Sequence, residues 1–389
     1  MPRDLRGVTA PTGDDVVTSL VPALAAALDG AGPALLPLPT GGRRGDVLAA
    51  MDTAVPLERD DVALVVPTSG STGEPKGVLL TAHAVRASAA ATHARLGGPG
   101  QWLLALPVSG VAGLAVLVRS LTARTRPEVV DLYGGFSVDA FVAATGRLGG
   151  GVRHYTSLVP TQLRRLLDDG AGRAALVSYD GVLVGGAALS PVLHSAAATA
   201  GVPVVTTYGM SETCGGCVYD GEPLPGVTVD IRDDGRVVLG GPTLFVGYRL
   251  RPDLTAEALV DGRFVTQDLG RWLPDGRLDV LGRADDVIVS GGVNVPAALV
   301  ERVLSGHPGV AACAVVGRPD LEWGERVVAV VQPRDWSDVP PVEELRRFAA
   351  EALEAAALPR EVVPLQLLPV LPSGKPDKQA VRTLLRGRS

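Results

Sequence analysis

The chain has 389 residues, enough for roughly two or three domains. With 46% hydrophobic and 20% charged residues it can bury a sizeable core, and a net charge of −6 argues against a general nucleic-acid binder. Three Cys without a framework of spaced pairs fit a reducing cytoplasm better than secretion.

Asp4, Asp14 and Asp15 precede the first apolar stretch, where a signal peptide would be basic, so no targeting segment is expected. Residues Asp14–Leu28 predict a helix capped by Asp14 or Asp15 and closed by Gly30. Short apolar runs at Asp61–Val66, Trp102–Leu106, Val129–Leu132, Val182–Val184 and Pro203–Thr207 predict buried strands. Helical patterns lie between them, at Ala82–Leu96, Ser137–Leu148 and Pro160–Leu167. Strands alternating with helices argue for α/β with a largely parallel sheet. The longest uncharged run, Gln101–Val118, contains Pro107, Ser109, Gly110 and Gly113; it reads as a buried strand and a buried helix, and no membrane insertion is expected. From Gly226 the pattern turns β-rich, with hairpins predicted around Asp233-Asp234-Gly235 and Pro274-Asp275-Gly276. After Gly282-Arg283 an α+β series follows, at Pro296–Leu304, Val310–Gly317, Arg326–Val331, Val342–Leu353 and Val363–Leu367. The expected fold is therefore α/β: a large N-terminal α/β domain with a β-rich subdomain, residues 1–283, and a small α+β C-terminal domain, residues 284–389.

Directly after the strand at residues 61–66 stands Thr68-Ser69-Gly70-Ser71-Thr72-Gly73-Glu74-Pro75-Lys76-Gly77. Hydroxyls and glycines crowded into a loop offer O–H and N–H donors to phosphate oxygens, and Lys76 adds a positive charge. The spacing is not that of a Walker loop. Of the 36 basic residues 33 are Arg, and only Lys76, Lys375 and Lys378 are Lys. A compact ammonium and a forked guanidinium are not interchangeable, so a Lys that persists in an Arg-rich chain marks a position Arg does not serve.

The Thr68–Gly77 string resembles the phosphate loop of the adenylate-forming superfamily of acyl-CoA synthetases, amino-acid adenylation domains and luciferases. Further motifs resemble that family in order along the chain. Gly185-Gly186-Ala187 stands where its members approach adenine with backbone. Tyr208-Gly209-Met210-Ser211-Glu212 resembles the motif whose Tyr stacks on adenine, whose hydroxyl touches phosphate and whose Glu holds Mg²⁺. Asp268 and Arg283 match the residues near the ribose, although Gln267 replaces the family Gly before Asp268. Asp285 matches the hinge, and Ser290–Pro296 the glycine loop that follows it. Leu371-Pro-Ser-Gly-Lys375 resembles the C-terminal loop whose Lys reaches the carboxylate and α-phosphate, with Lys378 as its last basic residue. The resemblance implies a mobile C-terminal domain and implies ATP, Mg²⁺ and CoA as cofactors. It assigns catalytic roles to Lys375, Glu212 and Lys76, and ATP contacts to Thr68, Ser69, Gly70, Ser71, Thr72, Gly73, Lys76, Gly185, Gly186, Ala187, Tyr208, Gly209, Ser211, Asp268, Arg283 and Lys375. Only 67 residues precede Thr68, so a reduced first subdomain is expected.

Within the superfamily, no acidic residue occurs between Gln101 and Val118 to pair with a substrate amine, so an amino acid is a poor candidate. The segment Ser157–Leu167 resembles the substrate helix of the o-succinylbenzoate–CoA ligases of menaquinone biosynthesis, and the short length resembles their actinobacterial form. This resemblance implies an acid–thiol ligase acting through an acyl-adenylate, with Ser157, Thr161, Arg164 and Arg165 at the acid. Arg164 or Arg165 would hold a second carboxylate by a bidentate contact. Alternatives are a stand-alone aryl-acid adenylating enzyme that loads a carrier protein, and a catalytically silent nucleotide-binding homologue. The expected partners are a small-molecule acid, ATP and CoA, without nucleic acid, in the cytoplasm; self-association stays open. Cys214-Gly-Gly-Cys217 lacks a second pair for zinc and reads as small residues packed near the site.

Overall fold

The computed structural model describes residues 3–40, 43–69, 75–370 and 376–386. Gly70, Ser71, Thr72, Gly73 and Lys375 lie outside the described residues, and Ser69 is described by its backbone only. Two compact units are present: Met1–Gly186 with Ala196–Asp230 and Val238–Thr266, and Ala187–Ser195 with Ile231–Val237 and Gln267–Ser389.

The first unit holds two sheets. One has four strands, in the order Leu5–Thr9, Ala34–Leu38, Val62–Ser69 and Pro75–Thr81; the first three run parallel and the last returns antiparallel. Leu5, Leu36, Leu38, Met51, Val62, Val65 and Leu79 form its core. The first two strands are absent from the sequence expectation, because five-residue runs such as LRGVT carry too little alternation to be seen. The predicted helix at Asp14–Leu28 is present but begins with a π turn, Val16–Leu20, and neither Asp14 nor Asp15 caps it with a side chain. Instead the Asp14 carbonyl accepts from both Val17 N–H and Thr18 N–H at 3.0 Å.

The other sheet has seven strands, in the order Glu222–Pro223, Gly215–Tyr219, Val204–Met210, Gly181–Val184, His154–Leu158, Gln101–Leu104 and Glu128–Val129. The last five are parallel, as expected, and Gly215–Tyr219 folds back antiparallel. Gly181–Val184 and Trp102–Leu104 are buried on both faces, which is why they read as unbroken apolar runs. The expected strand at Val129–Leu132 shortens to Glu128–Val129. Thr81 and Ser137 cap the helices Ala82–Arg95 and Val138–Thr145 by accepting from Ala84 N–H and Ala140 N–H, at 3.0 and 3.4 Å. The uncharged run does become a strand and a buried helix, Val111–Ala123.

The second unit is built on the long hairpin Val310–Asp320 and Gly324–Pro333. Alternate residues face opposite ways. Val315, Val327, Ala329 and Val331 pack with Val300 and Leu304 of the Ala297–Leu304 helix, whereas Ala314, Val316, Val328 and Val330 pack with Val381 and Leu385 of the Lys378–Arg386 helix. The glycine loop is a two-residue turn joining strands Val287–Ser290 and Val293–Pro296, with Gly291 and Gly292 at φ +60° and +78°. Both Asp-Gly hairpin turns are present, closed by Gly235 N–H to Arg232 O at 2.8 Å and by Gly276 N–H to Leu273 O at 2.9 Å.

Candidate active site

Thr68 and Lys76 face each other across the antiparallel pair Val62–Ser69 and Pro75–Thr81, which holds the two described ends of the phosphate-loop string. Behind it Gly77 has no room for a side chain, since a Cβ would meet Met51 Sδ at 2.3 Å and Arg249 Cβ at 2.9 Å. Arg249 N–H donates to Gly77 O at 2.7 Å. The fully buried Arg249 guanidinium spends all five N–H donors on the 51–58 segment: on the carbonyls of Met51, Asp52, Val55 and Pro56 and on the Glu58 carboxylate, the last at 2.9 Å. Arg249 thus fixes the base of this strand pair. Tyr248, its neighbour, carries its ring 5.7 Å from the Lys76 ammonium and donates its hydroxyl to Glu212 Oε1 at 2.9 Å. Lys76, Tyr248 and Glu212 therefore form one group.

The Tyr208–Glu212 motif ends the strand Val204–Met210 and enters a single 3₁₀ turn, Ser211–Thr213. Thr213 ties the turn: its Oγ1 accepts from Met210 N–H at 2.9 Å and lies 2.6 Å from Gly215 O. The reversal puts Cys214 at φ +57° and Gly215 at φ +107°. It also brings the backbone so close that a Cβ on Gly209 would sit 2.0 Å from Gly215 O. Cys214 and Cys217 are buried, and burial pushes the Cys214 thiol up, away from reactivity. Gly185 ends the neighbouring strand, where a Cβ would meet Thr207 Oγ1 at 2.2 Å, and Gly186 follows at φ +80°. The Gly185-Gly186 and Tyr208–Glu212 motifs thus lie at the ends of adjacent parallel strands, where open α/β sheets bind ligands.

Against this turn lies a small apolar cavity. The Val111–Ala123 helix lines it with Val111, Leu114, Ala115, Val118 and Arg119, one helical stripe, and Ser88 and Cys214 are also in its wall. Arg119 is 3% exposed, and among the described residues its guanidinium has no carboxylate within 4 Å and its Nε–H no hydrogen-bond partner. Its Nη2 donates to Tyr219 OH at 3.2 Å. Burial and the charge of Arg119 lower the pKa of the nearby His93 to about 4. Arg119 closes the uncharged run Gln101–Val118, the one sequence signal that marks it, and lies inside the helix, which continues to Ala123.

The expected acid-binding residues are divided. Ser157 is buried, with an Oγ that has no partner among the described residues. The Pro160–Asp168 helix has Pro in its first turn, and Gln162 pins its start by accepting from Val159 N–H at 3.0 Å and donating to Ala105 O at 2.8 Å. Its buried face is Gln162, Leu163, Leu166 and Leu167, so Thr161 and Arg165 are exposed, Arg164 is half-buried, and neither Arg lines the cavity.

In the second unit, Asp268 and Arg283 are paired across adjacent strands, 3.9 Å apart, with a bulge beside them. Arg283 also grips Asp285 with two bonds of 2.8 Å, which hold the Asp285 carboxyl below the usual carboxylate range. Lys378 sits between Asp286 and Glu301, 2.8 Å from the latter. Its persistence as Lys therefore has a packing cause as well: a point charge fits between two carboxylates. Ala187 falls in this unit.

Compared with known families, residues 13–249 match the AMP-binding enzymes and residues 299–375 their C-terminal domain. The chain belongs to the AMP-binding enzyme family. Membership implies use of ATP, and the ligases among its relatives imply CoA. A Mycobacterium tuberculosis (strain H37Rv) chain named a probable 2-succinylbenzoate–CoA ligase is 47% identical over 381 residues, 97% of each chain. The 2-succinylbenzoate–CoA ligase of Geobacillus sp. (strain WCH70) is 32% identical over 84% of this chain and 70% of its own. Among solved structures, the o-succinylbenzoate CoA synthetase of Bacillus subtilis in complex with its acyl-adenylate intermediate superposes with a TM-score of 0.76 and 25% identity, over 98% of this chain and 88% of that one. The expected fold, a large α/β portion followed by a small α+β portion, holds.

Proposed function

We propose that this AMP-binding enzyme is a cytoplasmic ligase that joins 2-succinylbenzoate to CoA at the expense of ATP, a step of menaquinone biosynthesis. The succinyl carboxylate attacks the α-phosphorus of ATP and pyrophosphate leaves; the CoA thiol then attacks the acyl carbon of the adenylate and AMP leaves. The observation that carries the choice of acid is Arg119, a buried cation with no carboxylate within 4 Å among the described residues, in the wall of an apolar cavity beside the Glu212 turn. An acid with a second carboxylate supplies the missing anion. Arg119 takes over the role first expected of Arg164 or Arg165.

In this reading Thr68 to Gly73 and Lys76 hold the phosphates, Gly185, Gly186, Ala187, Tyr208 and Gly209 the adenine, Ser211 a phosphate, and Asp268 and Arg283 the ribose. Ser157 faces the acid. Glu212 suits Mg²⁺: its carboxylate is a hard oxygen ligand, and one protein carboxylate with phosphate oxygens is a usual Mg²⁺ set. When bound, Mg²⁺ would neutralise phosphate charge. Tyr248 holds the Glu212 carboxylate in one orientation. We assign residues 1–283 to the ATP- and acid-binding domain and 284–389 to the domain that brings Lys375 to the reacting oxygens, with Asp285 as the hinge.

The test is a screen of acids for ATP-dependent CoA thioester formation, with pyrophosphate exchange measured alongside. The proposal expects 2-succinylbenzoate to exceed benzoates and fatty acids. Lys375→Ala should cut pyrophosphate exchange by ~10²–10³ while sparing thioester formation from supplied acyl-adenylate. Exchange without transfer to CoA would instead favour an enzyme that loads a carrier protein.

A further inference from the structure

Arg119 is held by residues that no sequence motif marks. The Trp102 ring lies beneath its guanidinium, 4.9 Å from ring centroid to Cζ. Tyr219 OH accepts from Nη2 at 3.2 Å and is itself fixed by Thr92 Oγ1 at 3.0 Å. Trp102 cannot turn away: its indole N–H donates to His93 Nε2 at 3.3 Å, and its ring lies 5.0 Å from that of Tyr155. Tyr219 is as confined, because the Gly216 backbone lies so close that a Cβ there would meet Tyr219 Cε1 at 2.6 Å. Trp102, Tyr155 and Tyr219 are fully buried.

A long side chain with a buried charge has several rotamers in which it could seek water. Here one donor is tethered and one face is stacked, while Nε–H has no partner among the described residues and the side chain borders the cavity. A cation so constrained has lost its conformational freedom before a ligand arrives, which lowers the cost of binding an anion.

We propose that Tyr219 and Trp102 are positioning residues that hold Arg119 for the non-reacting carboxylate of the substrate, and so set the preference for a dicarboxylic acid over a monocarboxylic one. This rests on the reading of Arg119 given above. Neither side chain touches the reacting atoms, so their removal should act on acid selectivity and leave the nucleotide alone.

The experiment compares kcat/KM for 2-succinylbenzoate with that for 4-oxo-4-phenylbutanoate, the same acid without the ring carboxylate, in wild type, Tyr219→Phe, Trp102→Leu, Trp102→Phe and Arg119→Met. Tyr219→Phe should lower the ratio about 3- to 10-fold with the KM for ATP unchanged. Trp102→Leu should lower it similarly, and Trp102→Phe, which keeps a ring face, should restore most of it. If Arg119→Met collapses the ratio but Tyr219→Phe and Trp102→Leu do not, or if those variants weaken both acids equally, the positioning role is wrong and the reading of Arg119 stands. If Arg119→Met leaves the ratio at its wild-type value, the reading of Arg119 fails and the positioning role with it. Should Tyr219→Phe not fold, the two Trp102 variants decide the matter alone.

Discussion

Arg249 and Arg119 are both buried in the first unit, and they are partnered in opposite ways. Arg249 is surrounded by four carbonyls and the Glu58 carboxylate, with every donor used. Arg119 has one phenolic oxygen, one indole face and an unused Nε–H, with no carboxylate within 4 Å among the described residues. Burying a charge costs several kcal/mol unless hydrogen bonds and counter-charge offset it. At Arg249 the chain supplies that offset and gains a rigid base for the strand pair that holds the ends of the phosphate-loop string. At Arg119 it does not, which makes sense if a ligand anion completes the pair. Full partnering marks a structural cation; missing partners in a cavity mark a binding one.

The largest expected effect is at the structural cation. Arg249→Met leaves Glu58 and four carbonyls without their donor and should lower unfolding free energy by about 3–5 kcal/mol, read by denaturant titration. Arg119→Met, also replaced by an apolar chain of similar length, should change it by less than ~1 kcal/mol or raise it. Equal losses would erase the distinction.

His93 sharpens the comparison through pH. Its Nε2 must be unprotonated to accept from Trp102, and burial and then Arg119 push its pKa down to about 4. A group whose folded pKa is depressed contributes stability that is present above its unfolded value, near 6.5, and is lost as pH falls towards 4. The acid-side loss should reach up to roughly 3 kcal/mol, be absent in His93→Gln, and shrink in Arg119→Met, where one cause of the depression is gone. Stability curves from pH 4 to 7.5 on the three proteins check this.

The smallest effect is at an exposed pair in the second unit. Asp285 is held down by Arg283, so its contribution is present above the ordinary carboxylate pKa and fades as pH falls through the lowered value. Asp285→Asn should cost below about 1 kcal/mol at neutral pH and flatten that acid-side slope.

The sequence made legible what is local. The Tyr208–Glu212 motif and the Asp-Gly turns each depend on residues within a few positions, and the turns form as expected. The described ends of the Thr68–Gly77 string, expected in a loop, belong instead to the paired strands Val62–Ser69 and Pro75–Thr81. Arg249 carries no such signal, because its acceptors stand up to 198 residues away. Tyr248, Trp102 and Tyr219 were missed for the same reason: their roles come from side chains of other elements. Arg164 and Arg165 stand out in the sequence because they follow a recognisable helix start, whereas Arg119 is marked only as the charge that closes an uncharged run. The apolar residues of the Pro160–Asp168 helix, Leu163, Leu166 and Leu167, turn Arg165 outward.

The central claim is that Arg119 meets the ring carboxylate of 2-succinylbenzoate. The most direct measurement is the KM for this acid, and for 4-oxo-4-phenylbutanoate, in wild type and Arg119→Met at fixed ATP and CoA. A shielded Arg–carboxylate contact is worth roughly 1.5–3 kcal/mol, so the KM for 2-succinylbenzoate should rise about 10- to 150-fold while that of the analogue and of ATP stays near wild type. An unchanged KM for 2-succinylbenzoate, or an equal rise for both acids, would contradict the account.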